Sequence, residues 1–111
     1  MTREIPPPEK WDEELARELV GCLLVVGIAY AFPDGSLSEQ HQLFGHVVTA
    51  DRRDGIELRL AGRYAGKKYR LPPDTSVLRR APPGQYQLKS TSDVVSNPDY
   101  TCAWTIPAPR Q

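Results

Sequence analysis

The spacing of apolar residues changes at Gly21, and the segment before it has the period of a helix. Trp11, Leu15 and Leu19 recur at every fourth position, and acidic residues crowd the neighbouring positions. Apolar residues with this spacing share one helical face, and negative charge favours a helix N-terminus. The pattern predicts a short amphipathic helix over residues 9–20 that ends at Gly21. Its apolar face either docks on the rest of the domain or fits a groove on a partner.

Proline limits the regular structure at both ends of the chain. Ile5-Pro6-Pro7-Pro8 cannot begin a helix, because each ring fixes φ and pushes the preceding residue out of the helical region. The sequence therefore predicts an extended lead-in over residues 1–8. Pro107 and Pro109 predict an irregular tail over residues 107–111.

Beyond Gly21 the apolar period becomes two, and turn residues separate the runs, as in a small β-barrel or β-sandwich. Six strands fit this pattern: residues 22–30, 42–50, 56–60 and 67–71, a fifth around Tyr86 and Leu88, and a last strand over 100–106. The segment 75–80 lies between two Pro-Pro pairs and predicts a helical turn or an irregular loop.

The residue types at several positions also predict which strand faces are buried and where the backbone bends. The first strand is apolar at nearly every position, so it should be buried on both faces, with Gly27 at a bend or bulge. Gly55 ends a loop and suits a left-handed backbone conformation. The apolar residues of the last strand share one parity and should face inward: Tyr100, Cys102, Trp104 and Ile106.

These elements predict one mostly β domain over residues 1–111. Its expected architecture is a small twisted barrel of about five to six strands over residues 22–106, with one short N-terminal amphipathic helix. A helix followed by short strands and a glycine-bounded hairpin resembles the Sm-like and SH3-like small barrels in architecture. The Arg-Gly signature of Sm proteins is missing from the corresponding stretch, residues 66–72, so the resemblance assigns no RNA-binding residues.

Composition fits an ordinary small domain with 111 residues, 40% of them hydrophobic and 25% charged. Such a chain buries enough surface to fold without a disulfide or a metal. Cys22 and Cys102 both lie in apolar runs, which favours free thiols and a cytoplasmic protein in a bacterial-type cytosol. The longest apolar stretch, residues 19–32, contains glycines and is too short for a transmembrane helix, and it lacks the features of a signal peptide.

The formal net charge is zero, but the charges are segregated along the chain. Residues 1–39 carry three bases and eight acids, whereas residues 40–92 carry ten bases and four acids. Segregated charge indicates either a surface that faces a partner or two regions that pair with each other in the fold.

The strongest candidate site is the basic hairpin, which we define as residues 59–70. It contains five bases, two tyrosines and no acid, and its candidate binding residues are Arg59, Arg63, Tyr64, Lys67, Lys68 and Arg70. Parity places Lys68 and Arg70 on the same face as Glu57 and Arg59, so one acid opposes three bases. The hairpin should bind a protein or peptide partner. Nucleic acid is the alternative, although a pI near 6.7 is low for that class.

The internal alternative is that these bases pair with the acidic helix, through the carboxylates of Asp12, Glu13, Glu14 and Glu18. A second candidate surface is a peptide groove lined by prolines and aromatic residues: Pro72, Pro73, Pro82, Pro83, Tyr86, Tyr100 and Trp104. The competing interpretation is that these aromatics are core residues and the prolines stiffen loops.

Enzymatic chemistry has little support in the sequence. His41 and His46 stand five positions apart in one predicted strand and so should face opposite sides, with His46 partly buried and His41 at the strand entrance. A small enzyme using Cys and His is the remaining alternative, but apolar surroundings raise a thiol pKa. No metal-ligand spacing occurs, and the glycine-rich segment 62–68 precedes a strand, unlike a phosphate-binding loop. We expect a non-enzymatic interaction module with no cofactor and no metal.

Overall fold

The computed structural model describes residues 10–37 and 41–107, and this part of the chain forms one α-helix and eight β-strands. The elements in chain order are α1 (Glu13–Leu19), β1 (Leu23–Ala31), β2 (His41–Asp51), β3 (Gly55–Leu60), β4 (Lys68–Leu71), β5 (Arg79–Arg80), β6 (Gln85–Gln87), β7 (Val94–Ser96) and β8 (Tyr100–Pro107). The mostly β class is confirmed. The predicted lead-in, residues 1–8, and the tail beyond Pro107 lie outside the described residues.

The prediction of a closed barrel is wrong for the described residues. Six strands form an open main sheet in the order β4-β3-β2-β1-β8-β5, and β6 and β7 form a separate two-stranded hairpin. The main sheet does not close, because β4 ends one side and the two-residue β5 ends the other. The predicted count of strands is also too low, since β5 and β7 are too short to show an alternating pattern.

The two faces of the main sheet support separate cores, because successive side chains along a strand point to opposite sides. On the core face, α1 covers a cluster that includes Leu24 and Val26 of β1 and Leu58 of β3. On the opposite face, which we call the hairpin face, Val25 packs against Leu88 and Val95. This arrangement confirms that the first strand is buried on both sides.

The helix begins later than the sequence pattern predicts, at Glu13. Asp12 is its N-cap, and its carboxylate accepts hydrogen bonds from the amides of Glu14 (3.0 Å) and Leu15 (3.2 Å). Asp12 therefore precedes the helix, as capping residues do. Gly21 follows the last turn with a φ of +88°, as expected. The apolar face docks on the core, with Leu19 fully buried and Leu15 half-buried.

Strand β8 has a position that no local pattern predicts. It pairs in parallel with β1, with Leu24 opposite Tyr100 and Ala31 opposite Pro107. Its predicted inward parity is confirmed: Tyr100 and Cys102 are buried, and Trp104 and Ile106 are partly buried against the core.

Gly27 is not at a bulge. It lies in continuous register between Gln42 of β2 and Ala103 of β8, and a Cβ atom at this position would meet open space. The irregularity in the sheet is instead in β2, between Val47 and Thr49. At seven residues, the one helix of the described segments is far too short to cross a lipid bilayer.

Candidate functional site

The register of β2, β3 and β4 aligns three nitrogen-bearing side chains in one row. His46 lies opposite Arg59, and Arg59 lies opposite Lys68. We call these three residues the basic row. All three are exposed, and they lie on the hairpin face because they alternate with residues of the main core. Directly opposed side chains in neighbouring strands have Cβ atoms about 5 Å apart, so the row presents its polar groups together.

Arg70 has a different role from the basic row. Its Nη2 lies 2.8 Å from Oε1 of Glu57, and its Nη1 donates to the carbonyl of Asp54 at 3.0 Å. Glu57 is the acid that opposes the hairpin bases, and this contact engages it with Arg70. Within the described residues, Arg59 and Lys68 are left without an acidic partner.

The remaining candidate binding residues lie at the tip of the basic hairpin. Arg63 and Lys67 are exposed there, and a single 3-10 turn, Gly62–Tyr64, carries the chain around. Tyr64 is half-buried and packs against the main core, so its ring is not presented with the basic row. The tip therefore adds two exposed cations but no exposed aromatic platform.

The β6–β7 hairpin holds this tip in place. The carboxylate of Asp93, just before β7, accepts a hydrogen bond from the amide of Arg63 at 3.1 Å. A Cβ atom at Gly62 would lie 2.6 Å from that carboxylate and from the ring of Phe44, so only glycine allows this close approach. The charged end of the Arg63 side chain is not part of this contact.

The acidic helix lies against the core face, away from the basic row. Its contact with a base in the described segments is between Glu13 and Arg52, at 4.0 Å and with both side chains at least half exposed. Exposed pairs at this distance contribute little to stability. The internal pairing considered from the sequence is therefore not seen for the bases of the basic hairpin.

The proline and aromatic set does not assemble into one groove. Tyr100 is buried under the guanidinium of Arg80, 5.5 Å from the ring centroid, and Trp104 packs on the same core face. Tyr86 belongs to the hairpin face, where its hydroxyl donates to the carbonyl of Pro82 at 2.6 Å. Tyr86 does line an open cleft of about 600 Å³, whose lining also includes Gly27 and Ala103.

The surroundings of both thiols disfavour the reactive thiolate form. Burial is the main cause that raises the pKa of both, for Cys102 to about 12, and the carboxylates of Asp99 and Glu18 act in the same direction on Cys22. His46 is exposed on the hairpin face, contrary to the partly buried position expected, and Cys102 faces the core. His41 is the first residue of β2, as expected, with its ring edge-on to Tyr30 at 5.9 Å.

The two cysteines are also too far apart to form a disulfide. Cys102 lies opposite Val26 of β1, and Val26 is four residues along the chain from Cys22, which corresponds to roughly 13 Å at the usual strand rise. Disulfides need Cα atoms within about 7 Å. Both cysteines are free.

We expect the thermal unfolding midpoint to be the same with and without a reducing agent, because no intramolecular disulfide stabilises the fold. Circular dichroism melts of freshly purified protein, with Cys22→Ser as the matched variant, measure this. A reductant-dependent shift of several degrees that disappears in Cys22→Ser would contradict the free-thiol arrangement.

Sequence reasoning missed His46 as a member of the surface, because a base on another strand joins the hairpin only through the register of β2 with β3. The local pattern around His46 predicts partial burial and gives no sign that it joins these bases. The described residues contain no group of three His, Cys, Asp or Glu side chains placed to hold a metal ion.

Comparison of the chain with protein-family models, with curated proteins and with solved structures gives no match.

Proposed function

We propose that this protein is a non-enzymatic interaction module that binds an acidic segment of a partner protein through the basic row and the adjacent hairpin tip. The observation that carries the proposal is the alignment of Arg59 and Lys68 in one row without an acid to neutralise them among the described residues. Like charges directly opposed in a sheet destabilise it. A partner that supplies carboxylates would offset this repulsion.

The geometry of the row fits carboxylates carried on one face of a segment. Opposed bases about 5 Å apart match acidic residues placed at i and i+4 on a helix, whose Cβ atoms have a similar spacing. Arg59 offers a planar guanidinium that can bind a carboxylate through two parallel hydrogen bonds. Lys68 supplies a compact charge, and His46 adds a ring nitrogen at the end of the row.

A protein partner is favoured over nucleic acid by the distribution of charge on the whole chain. The net charge is zero, and three exposed glutamates of the helix segment, Glu13, Glu14 and Glu18, lie across the sheet from the basic row. A long polyanion would meet repulsion from these acids, whereas a short acidic segment would contact only the local cations. Proteins that bind nucleic acid usually carry a basic domain as a whole.

The double reversal Arg59→Glu with Lys68→Glu tests this proposal. We expect binding of a labelled glutamate-rich helical peptide, measured by fluorescence anisotropy at low salt, to weaken by at least about tenfold, because attraction becomes repulsion. The free energy of unfolding should change by less than about 1 kcal/mol, because both side chains are exposed. Arg70 is left unchanged because it is paired with Glu57.

The matched control is Arg17→Glu with Lys89→Glu, which changes the net charge equally at two exposed positions outside the basic hairpin. It should keep the peptide affinity within about twofold. Equal losses in both double variants would show a non-specific charge effect and contradict the proposal. Tighter binding of a DNA duplex or RNA hairpin than of the peptide, with a steep salt dependence, would favour the nucleic-acid alternative.

A further inference from the structure

Strand β8 leaves most of one edge open in the described part of the chain. On that edge it pairs only with β5, where Arg79 lies opposite Thr101 and Arg80 opposite Tyr100. Beyond Thr101, residues 102–107 have β1 on one side and no described strand on the other. Backbone groups on such an edge form a template for another strand.

The pairing with β5 shows which backbone groups face this edge. The amide of Ala81 donates to the carbonyl of Asp99 at 3.1 Å, and the register then places Arg79 opposite Thr101. Along a strand, residues whose N–H and C=O point to one neighbour alternate with those that point to the other. Ala103 and Thr105 therefore direct their amides and carbonyls to the open edge, whereas Trp104 bonds toward β1.

Of the usual protections of an edge strand, this segment has only Pro107, the last residue of β8. Residues 100–106 contain no charged side chain and no proline, and the first proline is Pro107. Natural edges are commonly blocked by lysine, proline or an inward-pointing charge. A neutral strand of this kind also offers nothing that would select a charged partner strand.

We infer that the occupant of this edge is a second copy of the chain, with β8 pairing antiparallel to β8 about a two-fold axis at Thr105. In this arrangement, Thr105 exchanges both backbone hydrogen bonds with its symmetry mate, and the amide of Ala103 donates to the carbonyl of the mate's Pro107. Trp104 comes opposite the mate's Ile106, so two apolar side chains that are only partly buried in one copy cover each other.

The inferred dimer has a consequence for the surfaces of the molecule, and it does not depend on the proposed function. Strand β4 is at the opposite end of the main sheet from β8 and β5. Joining two sheets through β8 produces one continuous sheet and leaves a basic row toward each end. If the basic row binds acidic segments, the dimer would bind two of them at once, which raises the apparent affinity for a multivalent partner.

Thr105→Pro is the variant that tests the inference. Proline has no N–H, and the amide of Thr105 faces the open edge, so the substitution removes an intermolecular donor and leaves the ladder between β1 and β8 intact. Sedimentation velocity over a range of concentrations should show a dimer for the wild-type protein. The Thr105→Pro variant should dimerise at least about tenfold more weakly. Thr105→Ala keeps the amide and should dimerise within a few-fold of wild type.

Amide hydrogen exchange followed by NMR supplies a measurement that needs no variant. The amides of Ala103 and Thr105 should exchange more slowly as the protein concentration rises, whereas exchange at Trp104 should be unchanged because its amide bonds within the sheet. A wild-type protein that stays monomeric at the highest concentration would overturn the inference. So would a dimer that Thr105→Pro leaves unaffected, or protection of Ala103 and Thr105 that persists on dilution, which would indicate that the edge is covered within one chain.

Discussion

Truncation of Leu19 to alanine should lower the free energy of unfolding by about 2–5 kcal/mol, the range for a fully buried leucine. Leu19 is 0% exposed and is the last residue of α1. Its carbonyl accepts the amide of Cys22 at 2.8 Å, and the amide of Gly21 donates to the carbonyl of Val47 in β2, also at 2.8 Å. Because the end of the helix is bonded to the sheet, the helix cannot easily shift to fill the cavity. Urea denaturation followed by tryptophan fluorescence measures the loss.

The neighbouring residues of the helix segment provide graded controls for this experiment. Leu15 is half-buried, so Leu15→Ala should cost less than Leu19→Ala, although the sequence pattern alone gives the two the same weight. Val20 is 53% exposed, and Val20→Ala should change stability by no more than about 0.5 kcal/mol. A Leu19→Ala loss as small as that of Val20→Ala would mean that α1 does not dock on the core face in solution.

The features that sequence reasoning located correctly depend on side chains close together in the chain. Alternation of Ile56, Leu58 and Leu60 with polar residues located β3, and all three are buried. Parity located the inward side of β8. In both cases the period of two is a property of the strand itself and does not depend on which strand lies beside it.

The features that it missed depend on pairing between distant segments. The parallel contact of β8 with β1 joins residues far apart in sequence, and nothing in either strand specifies the direction of its neighbour. Without that pairing, a set of short strands is equally compatible with a closed barrel and with the open order observed here. The predicted start of the helix was wrong by a few residues, as Asp12 shows. An acidic residue just before the first apolar residues of a helix fits both its first turn and its N-cap position.

The candidate site likewise has features that the local sequence predicts and features that depend on pairing between strands. The common face of Arg59, Lys68 and Arg70 follows from local parity, and the pairs Arg59–Lys68 and Glu57–Arg70 lie opposite each other in the structure. Which base the single acid engages is decided by side-chain geometry, and it is Arg70. The addition of His46 from β2 required the register of a third strand.

Replacement of Gly55 by alanine should destabilise the fold by about 3 kcal/mol or more, because two costs coincide at this position. Its φ is +90°, in the left-handed region that the sequence predicted, where a side chain adds about 1–2 kcal/mol of strain. A Cβ atom would in addition clash with the backbone carbonyl of Leu71, the last residue of β4. Relief of the clash requires the strand that carries Lys68 to move, so the loss of stability should be measured together with the affinity of the acidic peptide.

Gly66→Ala separates the two costs. Gly66 also has a φ of +90°, but a Cβ atom there would have no neighbour within 4 Å. Gly66→Ala should therefore lower the free energy of unfolding only by the cost of the left-handed backbone, about 1–2 kcal/mol. The difference between the two variants then measures the cost of the clash with Leu71. Urea denaturation curves of both variants, measured in parallel with wild type, give this difference directly. Equal losses would show that β3 and β4 are not held at the separation seen here, and the pairing of Arg59 with Lys68 across these strands would then lose its structural basis.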